Sequence, residues 1–324
     1  LVRDIRSKYG YINGDFQTFT IDASSIEFYA LLNNYENYDY ILNLSALKHV
    51  RNEKDPYTLM RMLYTNIIMT TEIMKYFCTK QAKNYFCVST DKAANPVNLM
   101  GASKKIMEKL LVQQSDQCNL TMARFANVAF SDGSLLHGFG QRLEKRQPIT
   151  APIDVKRFFM LPSEAGELCL LACIYGSNRD IYFPKPNDYL QLTSFTTVAR
   201  RFLKSRGYDV KLCESEQEAR EAIASIGVTN SWPCYFFPSD TTGEKPFEEF
   251  YTEKEVIDWR KYDAIGVIKN TLTNDGRELE LFEQKLLELR SKNYWTREQL
   301  IALVKSTLPE FEHDERNKNL EQRM

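Results

Sequence analysis

The chain has 324 residues, 43% of them apolar and 26% charged, which excludes disorder and collagen-like repeats and suits two domains or one large α/β unit. Its 42 basic and 43 acidic side chains leave a formal charge of −1, so no overall field favours nucleic acid or an anionic membrane. No uninterrupted apolar stretch reaches the roughly 20 residues of a membrane span.

Leu1, Val2 and Ile5 read as the last turns of an amphipathic helix, with no start methionine or signal peptide, so the expectation is that the beginning is missing. Thr18–Asp22 reads as a strand and Ser24–Asn34 as a helix. Tyr40–Leu44 is a second short apolar run. Asp55-Pro56 then opens a long helix to about Cys78, with Asp55 as N-cap and proline at the first helical position. Tyr85–Ser89 is a third strand, Asn98 to about Gln114 a helix, and Leu120–Phe125 a fourth strand. Short apolar strands separated by helices predict a doubly wound α/β domain with a parallel sheet.

Beyond about residue 137 the alternation loosens. Helices are expected at Pro162–Tyr175, Thr193–Ser205 and Ser215–Ala224, and a strand near Ile181–Phe183. Trp232–Phe247 reads as loops rich in Pro, Gly and Thr. Leu279–Leu289 and Thr296–Ser306 read as amphipathic helices, the second capped by Thr296, and the polar tail after Pro309 is expected to fray. The division expected is a dinucleotide-binding region at 1–136 and a smaller α/β substrate-binding region at 137–324, interleaved with the sheet near 162–183. Seven cysteines show no zinc spacing. Cys169 and Cys173, in an apolar run, read as packed free thiols and point to a reducing, cytosolic compartment.

Ligands of a doubly wound sheet bind beyond the carboxyl ends of its strands. Ser89-Thr90-Asp91-Lys92 follows the third strand and sets an acid beside a base, preceded by two hydroxyls. Met100 and Lys104 lie one helical turn apart on one face, so Lys104 is expected to reach the crevice of Thr90, Asp91 and Lys92. Spacing alone also allows Asp91, Lys92 and Lys104 to be surface charges.

The run from Ser89 to Lys104 (STDKAANPVNLMGASK) resembles the signature of the extended short-chain dehydrogenase/reductases that act as nucleotide-sugar 4,6-dehydratases in polysaccharide biosynthesis. Asn43–Val50 resembles the loop beside the nicotinamide, Arg124–Val128 and Ser131–Ser134 the next strand and substrate loop, and Lys156–Met160 the nucleotide-diphosphate segment. Gly243-Glu244-Lys245 with Glu248-Glu249 is a weaker match.

The resemblance implies tightly bound NAD or NADP, regenerated in each turnover, that oxidises C4 of a UDP- or GDP-linked N-acetylglucosamine and reduces C6. It makes Lys92 the C5 base and Asp91 the C6 acid, which requires a protonated acid and a neutral amine. Thr90 would bond the C4 hydroxyl region and Lys104 the nicotinamide ribose. Ser45, Ala46 and Ser89 would border the cofactor, and Asp22 would meet its adenine or cap a helix. Lys48, Asn127, Ser134 and Arg157 would contact sugar and diphosphate, a guanidinium fork suiting phosphate oxygens. Met100 stands where the wider superfamily has a catalytic tyrosine, and a thioether carries no proton. One branch of the dehydratases is similar in this respect. The C4 proton acceptor is then Thr90, Asp91 or a water. His49 and His137 read as structural, and Asn66 as a buried hydrogen-bonding residue.

The chain contains no glycine-rich phosphate turn of the G-x-G-x-x-G kind. The expectation is therefore a Rossmann-like fold lacking its first β-α-β unit, a fragment whose activity is in doubt. A homo-oligomer is expected, in the cytoplasm, with an anchor upstream of Leu1 left open. The leading reading is a 4,6-dehydratase; the alternatives are a nucleotide-sugar epimerase and a non-catalytic nucleotide-sugar-binding subunit.

Overall fold

The computed structural model describes residues 2–10, 16–34, 38–187, 190–226, 230–240, 243–272 and 276–313. They fall into two compact units, Leu1–Asn37 and Tyr38–Met324. The first contains α1 (Val2–Tyr9) and α2 (Ile26–Asn34), where Ser25 Oγ accepts from Phe28 N at the start of α2. Thr18–Asp22, expected to be a strand, has no regular structure. It joins no β-ladder among the described residues, and an apolar run without a ladder partner is not held extended.

The second unit begins with β1 (Tyr40–Asn43), α3 (Pro56–Leu63), α4 (Thr70–Thr79), β2 (Asn84–Thr90), α5 (Leu99–Gln113), β3 (Leu120–Phe125), β4 (Asn127–Val128) and α6 (Leu135–Glu144). It continues with β5 (Ile149–Pro152), β6 (Lys156–Arg157), β7 (Phe159–Met160), α7 (Pro162–Tyr175), β8 (Asp180–Pro184), β9 (Thr193–Ser194), α8 (Phe195–Ser205), β10 (Asp209–Cys213), α9 (Glu216–Ala222) and β11 (Ser231–Phe237). β12 (Val256–Asp258), β13 (Ile265–Lys269), α10 (Gly276–Ser291) and α11 (Arg297–Thr307) complete it.

A six-stranded sheet in the order β1-β2-β3-β8-β13-β12 carries the fold. β1, β2, β3 and β8 run parallel, and β13 and β12 are added antiparallel at the far edge, so the sheet is mixed rather than purely parallel. Tyr85, Phe86 and Cys87 are all buried although successive strand residues face opposite sides, so both faces of β2 are covered. α4, α5 and α7 pack on these strands.

α3 starts as its sequence demands. Pro56 occupies the first turn and Asp55 Oδ1 accepts from Tyr57 N and Thr58 N, each at 2.9 Å. One wider π-type turn, Tyr64–Met69, links α3 to α4. A second sheet, β10-β11-β5, is parallel throughout and packs Ile149, Trp232 and Cys234 against Phe195 and Phe202 of α8.

β11 lies within the segment read as loops. Pro233 lacks an N–H, yet Trp232, Pro233 and Cys234 are buried and the strand pairs on both sides. Of the tail expected to fray, Phe311 is buried, and residues 314–324 lie outside the described residues. Cys169 and Cys173 are buried free thiols, whereas Cys78 and Cys118 form a disulfide with a Cα–Cα separation of 5.1 Å. Among the described residues, no helix is long and apolar enough to cross a membrane.

Candidate active site

The parallel strands β1, β2 and β3 end at one edge of the sheet, with Thr90 opposite Phe125 and Asn43 opposite Cys87. β2 ends at Thr90 and passes into the 3-10 turn Asp91–Ala93. Asp91 Oδ1 accepts from Thr90 Oγ1 at 2.9 Å, from Lys92 N at 2.9 Å and from Lys92 Nζ at 3.0 Å. Its Oδ2 is buried with no hydrogen-bond partner among the described residues. A buried acceptor without a donor is costly in a folded protein, and such an atom marks a place where a ligand group can donate. The Asp91 side chain is 2% exposed and that of Lys92 18%, so the acid is enclosed and the amine faces an opening. Lys92 Nζ also lies 3.5 Å from Asn127 Oδ1 on β4.

α5 is pressed against this turn. Its N-cap Asn98 accepts from Gly101 N at 2.8 Å. A Cβ at Gly101 would lie 2.5 Å from the Lys92 carbonyl oxygen, so only glycine lets the helix approach so closely. Met100 is buried, and its N–H donates to Glu53 Oε1 at 2.8 Å.

Lys104 does not join the crevice as expected. Its amine is buried and donates to the Val88 carbonyl at 3.0 Å, with Met107 Sδ at 3.4 Å. Burial pulls it below the usual lysine range, against the opposing influence of Cys87 and Glu108. Ser89 is likewise turned away. It neighbours Thr90 on a strand and therefore faces the other side, donating to Glu108 Oε1 at 2.6 Å. Glu108 forms a two-point pair with fully buried Arg124, which also holds both oxygens of Glu255.

The loop after β1 is pinned from below. Asn43 Oδ1 accepts from Ser45 N at 3.0 Å. Asn66, in the π-type turn, accepts from Leu47 N at 2.8 Å and donates to Leu47 O at 3.1 Å and Ser103 Oγ at 3.0 Å. It is a fixing residue between the Ser45-Ala46 loop and α5. Lys48 Nζ donates to Ser131 Oγ at 3.2 Å, joining this loop to the one after β4. Ser134 caps α6, accepting from His137 N. Asp22 belongs to the first unit, where its Oδ1 accepts from Ser24 N at 2.8 Å and Ser24 Oγ at 2.7 Å in an Asx turn.

The segment 243–249 lies as a strap against the residues that follow the Asp91–Ala93 turn. Asn98 Nδ2 donates to the Gly243 carbonyl at 2.9 Å, and Asn95 Nδ2 to Glu249 Oε2 at 2.9 Å. Gly243 has φ +69°, and a Cβ there would lie 2.6 Å from Asn98 Cβ. Arg157, expected at the diphosphate, is instead buried beneath the strap. Its Nη1 donates to Lys245 O at 2.9 Å, and its Nη2 lies 3.6 Å from Glu244 and 3.7 Å from Glu248. Burial raises the Glu248 carboxyl above its ordinary range; the charges of Lys92, Arg157 and Lys245 oppose this and that of Asp91 adds to it. Beside β4 and β7 lies a cavity of about 580 Å³, lined by Phe130, Leu136, Phe159, Thr193, Arg201 and Phe202 among others. Glu53, Glu248 and the Arg124 pairs meet their partners through the fold, and no local spacing announces them.

The parallel strands β1, β2, β3 and β8, with helices packed on them, define a Rossmann-type α/β protein whose strand end carries an enclosed acid beside an amine. Residues 21–270 match the polysaccharide biosynthesis protein family, and the chain belongs to it. It is 28% identical over 240 residues to the uncharacterized membrane protein MJ1061 of Methanocaldococcus jannaschii, covering 72% of this chain and 65% of that one. It is 26% identical over 263 residues to the probable polysaccharide biosynthesis protein EpsC of Bacillus subtilis, covering 78% of this chain and 40% of EpsC. The chain thus spans less than two thirds of the length of these relatives.

Among solved structures it is similar to Pen from Bacillus thuringiensis, with a TM-score of 0.66, 21% identity, and 84% of this chain and 77% of that one covered. It also resembles UDP-glucuronic acid 4-epimerase from Bacillus cereus in complex with UDP-glucuronic acid and NAD, with a TM-score of 0.54, 13% identity, and 76% of each chain covered. These two likenesses concern the fold.

Proposed function

We propose that this chain carries the acid–base site of an NAD(P)-dependent nucleotide-sugar 4,6-dehydratase acting on a UDP- or GDP-linked N-acetylhexosamine. The observation that carries the reading is Asp91: one oxygen holds Thr90 and Lys92, and the other is buried without a protein donor. An acid that must deliver a proton to a leaving hydroxyl needs one oxygen turned to substrate.

The nicotinamide end of a cofactor fits where the Ser45-Ala46 loop leaves β1, the strand paired with β2, at the same edge of the sheet as the Thr90–Lys92 turn. When bound, NAD(P) supplies oxidation at sugar C4 and reduction at C6. The protein then moves two protons. The C4 hydroxyl proton passes through Thr90 Oγ1 to Asp91, a route already marked by their 2.9 Å hydrogen bond. This dispenses with a proton carrier at Met100. Lys92, as the free amine, takes the C5 proton, made acidic by the C4 ketone. Asp91, through Oδ2, protonates the departing C6 oxygen, and Lys92 returns a proton to C5. One water leaves, and both residues end as they began.

The cavity beside β4 and β7, which combines aromatic walls with Arg201, offers room for the nucleotide. Incubation with UDP- and GDP-sugars and either NAD⁺ or NADP⁺, followed by mass spectrometry, tests the reading. Loss of one water with a 4-keto product supports it. An isomer of unchanged mass makes the protein an epimerase, and tight binding without conversion makes it a binding subunit.

A further inference from the structure

We propose that Glu53 and His313 are positioning residues of the active site, through which the C-terminal segment sets the seat of α5 beneath Asp91 and Lys92. The inference rests on the reading of Asp91 and Lys92 given above. Glu53 ends the 3-10 turn Val50–Glu53 and is buried, with its two oxygens turned to different parts of the chain. Oε1 accepts from the Met100 N–H at 2.8 Å. Oε2 lies 3.4 Å from His313 Nε2, and the His313 side chain is itself only 2% exposed.

The Met100 N–H is one of the first amides of α5, which no helix carbonyl can satisfy. A carboxylate there gains both a charge-assisted hydrogen bond and the favourable end of the helix dipole. Buried without a cation, however, that carboxylate would be strongly disfavoured. The His313 imidazole is the ring that the C-terminal segment sets opposite Oε2.

The segment that delivers His313 is anchored to the same turn. Arg297 Nε donates to the Glu53 carbonyl at 2.7 Å, and Trp295 Nε1 donates to the Pro56 carbonyl at 2.8 Å. Leu308 and Phe311 are buried, and the Phe311 ring lies 5.7 Å from that of His313. On the other side of α5, the close approach of Gly101 to the Lys92 carbonyl leaves no slack. A shift of the α5 N-terminus is therefore felt at once by Lys92, and His313 holds that N-terminus through Glu53.

The test compares His313→Ala, His313→Gln and Glu53→Ala with the unaltered protein by hydrogen–deuterium exchange, read on peptides covering 98–104, β2 and β3, and by kcat and KM for the nucleotide sugar. The expected result for His313→Ala is about tenfold faster exchange confined to 98–104, with kcat reduced about tenfold and KM nearly unchanged. His313→Gln, which keeps a polar side chain opposite Glu53, restores most of both, and Glu53→Ala reproduces or exceeds the His313→Ala effect. Unchanged exchange at 98–104 overturns the proposal. So does faster exchange spread equally over β2 and β3, which would make the contact a general support of the fold. If the unaltered protein dehydrates no nucleotide sugar, the proposed function fails, and the exchange data still decide whether His313 seats α5.

Discussion

Lys92 Nζ lies 3.0 Å from Asp91 Oδ1 on a turn where the acid is enclosed and the amine partly open. The pair is adjacent in sequence, so its geometry follows from one 3-10 turn rather than from distant packing. Thr90, Asn127, Glu248 and α5 then surround it. The carboxylate is asymmetric, with one oxygen saturated and the other buried without a donor among the described residues.

Gly101→Ala should act on this turn without touching its charges. A methyl group 2.5 Å from the Lys92 carbonyl forces α5 away, at a cost of about 1–3 kcal/mol by analogy with overpacked cores. Urea unfolding should register that loss, and turnover should fall by at least about tenfold in protein that remains folded. Unaltered turnover would mean that the close approach is incidental.

Thr90→Val keeps the shape of the side chain and removes the hydroxyl that donates to Asp91. If Thr90 passes the C4 proton, kcat should fall by about 10²-fold or more while Thr90→Ser stays close to the unaltered enzyme. Equal losses in the two variants would point to the methyl group instead.

Glu255 gives the fold a defined acid sensitivity. Burial raises its carboxyl, but the hydrogen bonds and charge of Arg124, aided by Lys105, outweigh that and hold it at about 2 against an ordinary 4.5. A depressed carboxyl stabilises the fold fully above its unfolded value. The contribution, at most about 3 kcal/mol, is lost as pH falls from about 4.5 towards 2. Glu255→Gln should therefore be less stable than the unaltered protein at pH 7 and lose less on acidification. Parallel stability curves for the two proteins would contradict this.

What could be read from the sequence was what is local in it. Asp55-Pro56, the Thr296 cap and the run from Ser89 to Lys104 each carry their own cause within a few residues, and α3, α11 and the Asp91–Ala93 turn follow. Ser89 and Lys104 lie inside that run and were still misdirected. A strand turns Ser89 opposite to Thr90, and the long Lys104 stem reaches back to Val88 instead of forward to the turn. Arg157 was matched to phosphate by residue type, yet Glu244 and Glu248, brought in by the strap, hold it. Glu53 is 47 residues from Met100, and no spacing rule links them. β11 lies in a segment whose Pro, Gly and Thr content reads as loop, and it is its pairing with β10 and β5 that makes it a strand.

The most direct measurement follows the C5 proton in deuterated water with a nucleotide sugar that the unaltered protein converts. The account predicts solvent deuterium at C5 of the product, and loss of that exchange together with turnover in Lys92→Ala, with nucleotide-sugar affinity changed only a few-fold. C5 exchange that persists undiminished in Lys92→Ala would contradict it and remove Lys92 from the role of base.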